Sequence, residues 1–151
     1  MFDVVLWRPE IPPNTGNLMR LTVNTGCRLH LIEPLGFDID DARLRRAGLD
    51  YREFSDVATH PSFDEFVVAV CPDRVFAFTQ HAERLYTDIE YEPGDVLLFG
   101  RESDGLPDDL LTSDAVTDRV RIPIAEAGRS LNLANAAAIA VYEAWRQNGF
   151  A

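Results

Sequence analysis

Two hydrophobic rhythms alternate along the chain: short, nearly continuous apolar runs, and longer stretches where apolar residues recur every three or four positions. The first rhythm marks strands covered on both faces, the second amphipathic helices. Residues 2–7 form the first run, which stops short of Pro9 and predicts a strand. Pro12 and Pro13 give a rigid approach to a helix capped by Asn14, with Leu18, Leu21, Val23 and Cys27 as its apolar series. Residues 29–33 predict a second strand, closed by Pro34 and Gly36. A small helix starts at Asp40 and Asp41 and ends near Gly48, a strand covers 51–57, and a helix covers 62–70. Strands come next at 74–78 and at 95–99, the latter ending directly at Gly100. Residues 107–111 predict a short helix and 119–124 a strand. The last helix covers 131–147, where alanines with Ile139, Val141 and Trp145 give a tightly packing surface.

Strand and helix in turn predict the α/β class, a mostly parallel sheet flanked by helices on both sides. No repeat, low-complexity stretch or linker interrupts the sequence, so one domain over 1–151 is expected. The polar, acidic stretch 80–94 reads as an exposed excursion between two strands. Ligands of such sheets sit beyond the carboxyl ends of strands, which directs attention to the segments after Phe78, Phe99 and Ile122.

A formal charge of −11 argues against a generic nucleic-acid binder. Placement changes the picture. All 14 positive side chains are arginines, and Arg20, Arg28, Arg43, Arg45, Arg46 and Arg52 fall within one third of the chain. A guanidinium suits phosphate because its planar fork donates two parallel hydrogen bonds. A basic face on an acidic body is compatible with RNA; the solvated side of a short helix would look the same. No apolar run is long enough to span a membrane and no leader-like segment opens the chain, so a cytoplasmic protein with no membrane partner is expected. Cys27 and Cys71 follow no metal or redox spacing and read as reduced, packed thiols. His30, His60 and His81 are scattered, so no metal is expected. No glycine-rich dinucleotide or nucleotide loop and no serine or cysteine nucleophile motif occurs.

Three segments carry candidate chemistry. In residues 14–20, Asn17 and Arg20 share a helix face, where they suit phosphate and ribose; a capped helix with a solvated arginine fits equally. In residues 98–107, Gly100 and Gly105 flank an acidic loop at a strand end, and Gly100 permits a ligand to approach the backbone; a plain strand-to-helix turn has the same look. In residues 122–136, Ser130 is placed to cap the last helix, and Asn132 and Asn135 inside that helix need partners for their amides. A structural hydrogen-bond network and a binding site both answer that need.

Taken in order, these segments resemble the SPOUT methyltransferases, most closely the small bacterial enzymes acting on the wobble ribose of tRNA. The likeness spans nearly the whole chain, through residues 9–17, 44–51 and 141–147. It implies a C-terminal deep trefoil knot, a homodimer with active sites near the subunit contact, S-adenosyl-L-methionine as cofactor, and the anticodon stem-loop of tRNA as partner. By position it implies cofactor contacts at Phe78, Gly100, Ile122 and Ser130, with Glu102 and Asn135 in the same motifs. Arg20 matches the catalytic arginine, and Asn17, Arg129 and Tyr142 are candidates for placing RNA. The implied reaction is methyl transfer to the 2′-hydroxyl of cytidine or uridine at position 34. Methylation at another tRNA or ribosomal RNA position, or RNA binding without catalysis, would use the same motifs. Where relatives usually carry proline and arginine in the second motif, this chain has Arg101 and Asp104.

Overall fold

The computed structural model describes residues 1–39 and 57–151. Within them lie six strands in one parallel sheet: β1 (Asp3–Trp7), β2 (Arg28–Ile32), β3 (Val57–His60), β4 (Val75–Phe78), β5 (Val96–Phe99) and β6 (Asp118–Val120). Their spatial order is β3-β2-β1-β5-β4-β6. The chain first builds outward from β1 through β2 to β3, then fills the other side, so direction reverses between β1 and β5. That reversal is where parallel sheets open a crevice.

Side chains alternate across each strand, and the alternation assigns the helices to faces. Val4 and Leu6 point to one face with Leu29, Leu31, Leu97 and Phe99. There they meet Leu18 and Met19 of α1 (Pro12–Thr25) and Ala137, Ala140, Val141 and Ala144 of α4 (Leu133–Gln147). Val5, Ile32, Ala77, Val96 and Leu98 point the other way, onto Phe63 and Phe66 of α2 (Phe63–Val70) and Leu110 of α3 (Asp108–Leu111). The alanines of α4 let it lie close to α1 and the sheet.

Most expected elements are present, with shifted ends. The described part of the third strand is Val57–His60; the rest of the strand expected over 51–57, the small helix at 40–48 and the motif at 44–51 lie outside the described residues. The last strand stops at Val120 rather than 124. The stretch 80–94 is not an exposed excursion: Ala82, Ile89 and Tyr91 are buried. Gln147 holds it from α4, accepting from the Tyr91 N–H at 2.9 Å and donating to the Ile89 carbonyl at 3.0 Å. Its acidic residues face out while its few apolar ones close the core, a division that composition averages away. Cys27 is buried as expected, but Cys71 is exposed, because the chain leaves α2 through it in a left-handed conformation at φ 50°.

Candidate active site

The site is built where α1 begins. Pro12 and Pro13 occupy the first helical positions, where a missing N–H costs nothing and the fixed φ already suits a helix. The helix therefore starts after Ile11, and Asn14 lies inside its first turn rather than capping it. Ile11 offers no side-chain cap and the first turn carries no acidic residue. Glu102, on the loop after β5, supplies the carboxylate instead. It accepts from the backbone N–H of Glu10 at 2.8 Å, from that of Ile11 at 3.1 Å, and from Asn14 Nδ2 at 3.2 Å.

Asn14 is 4% exposed, and its Oδ1 accepts from Asn132 Nδ2 at 2.8 Å. Asn132, not Ser130, caps α4, its Oδ1 accepting from the N–H groups of Ala134 and Asn135 at 2.9 and 3.3 Å. Asn135 is exposed on the first turn, so its amide needs no buried partner. The three motif segments thus meet through side-chain bonds between residues far apart in the chain.

Around that junction lies a cavity of about 680 Å³ at the carboxyl ends of β4 and β5. Phe78, Gly100, Ile122 and Ser130 all line it, together with Asn14, Glu102 and Asn132. Phe78 and Phe99 stack at its base with ring centroids 4.6 Å apart. Gly100 is sterically required: a Cβ there would lie 2.1 Å from the Gly105 carbonyl carbon and 2.3 Å from the Leu106 nitrogen. The loop folds back on itself through the Gly105 N–H, which donates to the Arg101 carbonyl at 2.9 Å. Arg101 pairs with Asp104, and Ser103 Oγ donates to Glu10 Oε1 at 2.6 Å. The departures at 101 and 104 therefore answer each other, and Arg101 holds the Asp104 carboxyl below its ordinary range.

Other expected site residues lie outside the cavity lining. Asn17 and Arg20 are exposed on α1. Arg129 is exposed beside Ser130, and Tyr142, 47% exposed on α4, meets Trp145 edge-on. Thr79, Gln80 and His81 line the wall without having been singled out, although the carboxyl end of β4 pointed there.

A model of the SpoU rRNA Methylase family matches residues 1–142. The chain belongs to that family. It is 55% identical over 151 residues to the tRNA (cytidine(34)-2'-O)-methyltransferase of Aeromonas hydrophila subsp. hydrophila, covering 100% of this chain and 97% of that protein. A solved structure described as giving structural insights into the 2-OH methylation of C/U34 on tRNA superposes with a TM-score of 0.88 and 44% identity, over 99% of this chain and 97% of that one. The SpoU methyltransferase AviRb from Streptomyces viridochromogenes in complex with AdoMet gives a TM-score of 0.84 and 27% identity, over 97% of this chain and 57% of that one.

The opposite, amino end of the sheet in this SpoU-family chain holds polar groups of another kind. Asp3, 1% exposed, accepts from Arg28 Nε and Nη2, both at 2.6 Å, and lies 3.0 Å from His30 Nε2. A hollow of about 450 Å³ on that side is flanked by Arg74 and Arg84, but both guanidiniums are paired, with Asp95 and Asp118 at 2.6 Å each. Among the described residues no helix is long and apolar enough to cross a membrane, and no three metal-ligating side chains cluster.

Proposed function

We propose that this chain uses S-adenosylmethionine to methylate the ribose 2′-hydroxyl of the wobble nucleotide, position 34, of tRNA. One observation carries this reading: Phe78, Gly100, Ile122 and Ser130, from three separate loops, converge on one cavity in a SpoU-family chain. The cavity suits the cofactor. Its volume of about 680 Å³ lies within the roughly 300–1,000 Å³ of small-molecule sites. Its walls join apolar Phe99, Leu106 and Leu133 to polar Asn14, Ser130 and Asn132. At Gly100 the two arms of the loop approach too closely for any side chain.

When bound, S-adenosylmethionine supplies a methyl group on a positively charged sulfur, open to attack by a ribose oxygen. Backbone groups at Phe78, Gly100 and Ile122 would hold the adenine end, and Ser130 would contact the cofactor beside the start of α4. The demethylated cofactor would leave as a neutral thioether, and attack by the ribose oxygen requires that the hydroxyl proton be accepted. A guanidinium has donors and no acceptor, so Arg20 is given no role as base. Its fork orients the hydroxyl and stabilises the negative oxygen as it develops, and a substrate phosphate takes the proton. Exposure of Asn17, Arg129 and Tyr142 leaves them accessible for placing the RNA.

In the same proposal the chain is one cytoplasmic domain whose C-terminal part forms the trefoil knot, and it works as a homodimer that grips the anticodon stem-loop with both subunits. Exposed Leu131, Ile139 and Tyr142 on and beside α4 support a subunit contact there.

The test is mass-spectrometric mapping of ribose methylation after incubation with labelled cofactor and tRNA. Label at nucleotide 34, falling by about 100- to 1,000-fold in Arg20→Ala, is expected. Label at another position would keep the chemistry and overturn the substrate site.

A further inference from the structure

We propose that Asn14, Glu102 and Asn132 form a positioning relay that sets the register between α1 and the cavity loops, and so the aim of Arg20. Its consequence for turnover rests on the methyltransferase reading above; its existence does not.

The relay has a single direction. A carboxylate only accepts, so Asn14 must present Nδ2 to Glu102 (3.2 Å). That leaves Asn14 Oδ1 to accept from Asn132 Nδ2 (2.8 Å), and Asn132 Oδ1 to accept from the N–H groups that open α4. Donors at the start of α4 are thereby linked, amide by amide, to an acceptor on the β5 loop. Each middle position needs one donor and one acceptor in a fixed order, which an amide side chain supplies.

Glu102 also holds the backbone N–H groups of Glu10 and Ile11. With prolines in the next two positions, these amides and the Asn14 side chain, together with the Glu10 carboxylate held by Ser103 and Arg101, let the loop grip the entry to α1. A helix transmits a tilt at Asn14 to Arg20, about 9 Å further along its axis at ~1.5 Å per residue. All three relay residues line the cavity, so the bonds that hold the cofactor-side loops also hold the helix.

The experiment is a swap. Asn14→Asp sets acceptor against acceptor; Glu102→Gln, with its oxygen kept on the Glu10 N–H, sets an amide NH2 against Asn14 Nδ2 and the Ile11 N–H. The double variant restores the order between positions 102 and 14: the new amide donates to the new carboxylate, while its oxygen keeps the Glu10 N–H and the Ile11 N–H, which shared an oxygen with Asn14, goes without. Under saturating tRNA and cofactor, N14D should lose about 100-fold in kcat, the cost of a misplacement near 1 Å. E102Q should lose about tenfold, and the double variant should recover to within about fivefold of wild type, the mark of directly coupled residues. Cofactor Kd should move far less than kcat.

Hydrogen exchange at the Ala134 amide reads the relay without using activity. Exchange should quicken in both single variants and return to the wild-type rate in the double. If N14D fails to fold, the near-isosteric E102Q alone decides through Ala134, which lies on a different segment from the change. A double variant no better than N14D, or Ala134 exchange unchanged in E102Q, overturns the relay. Wild-type protein that methylates no tRNA overturns the methyltransferase reading instead, and the exchange measurement still decides the relay.

Discussion

The two ends of the sheet use similar polar residues to opposite effect. At the amino end, buried Asp3 is gripped by Arg28 from the neighbouring strand, and buried Asp95 by Arg74, with Nε and Nη2 at 2.7 and 2.6 Å. Each carboxylate is answered in place, and the arginines that flank the hollow there are already paired. At the carboxyl end, Glu102 and Asn14 are answered across the fold, by α1 and by the cap of α4, and a cavity stays open between them. Pairing within strand register fills space; pairing between loops spans it.

Electrostatics sharpen the contrast. Burial would raise the Asp3 carboxyl, but hydrogen bonds from His30 and Arg28 and the charge of Arg28 outweigh it and hold the group below its ordinary value. Burial, helped by His30, keeps His60 below the ordinary histidine value. His30 Nδ1 and His60 Nε2 lie 3.0 Å apart, continuing the Asp3 cluster toward β3. These groups stabilise the fold and lie away from the cavity.

The largest effect that tests the comparison is expected at the carboxyl end. Gly100→Ala forces a methyl group onto the Gly105–Leu106 backbone; overpacking costs about 1–3 kcal/mol, and cofactor affinity by calorimetry should fall by more than about tenfold as the loop moves. Unchanged affinity would mean that this loop does not bound the cofactor site. A smaller effect belongs to the amino end. Asp3→Asn should lower stability to denaturant by about 2 kcal/mol, with Arg28 partly relieved by solvent because its side chain is 56% exposed. Methyl transfer should stay within about twofold of wild type, and a large loss of activity at full folding would erase the division between the two ends. The smallest effect is on pH dependence. Both shifted groups have lowered values in the folded state, so the stability they contribute is present at neutral pH and lost on acidification. For His60 the loss begins as pH falls below roughly 6.5, and for Asp3 below roughly 3.9. Melting temperature should therefore decline in two steps, and Asp3→Asn should shrink the lower one, which the lowered Asp104 and Glu143 carboxyls share.

Much of the fold was legible because its signals are local. The apolar run at the first strand, the strand ending at Gly100 and the apolar period of the last helix all reappear close to their expected places. The caps were misassigned for a physical reason. Asn14 and Ser130 are both good capping types, but the helix prolines moved one cap to Ile11, and Asn132 took the other. Asn14 was free to bond elsewhere, with partners 88 and 118 residues away in sequence. No local pattern carries a bond of that span. The acidic stretch at 80–94 failed likewise, since Tyr91 and Ile89 are buried by Gln147 and the core around them.

The sequence by itself determined the class, the alternation of parallel strands and helices, and the three segments that belong to one chemistry, because side-chain period and residue type are written locally. Only the tertiary structure decided that Phe78, Gly100, Ile122 and Ser130 share one cavity. It alone joined Glu102, Asn14 and Asn132, and left Arg20 on an outer helix face. The reason is geometric: strand order and register bring chain-distant loops together, and a hydrogen bond between two loops exists only once both are in place.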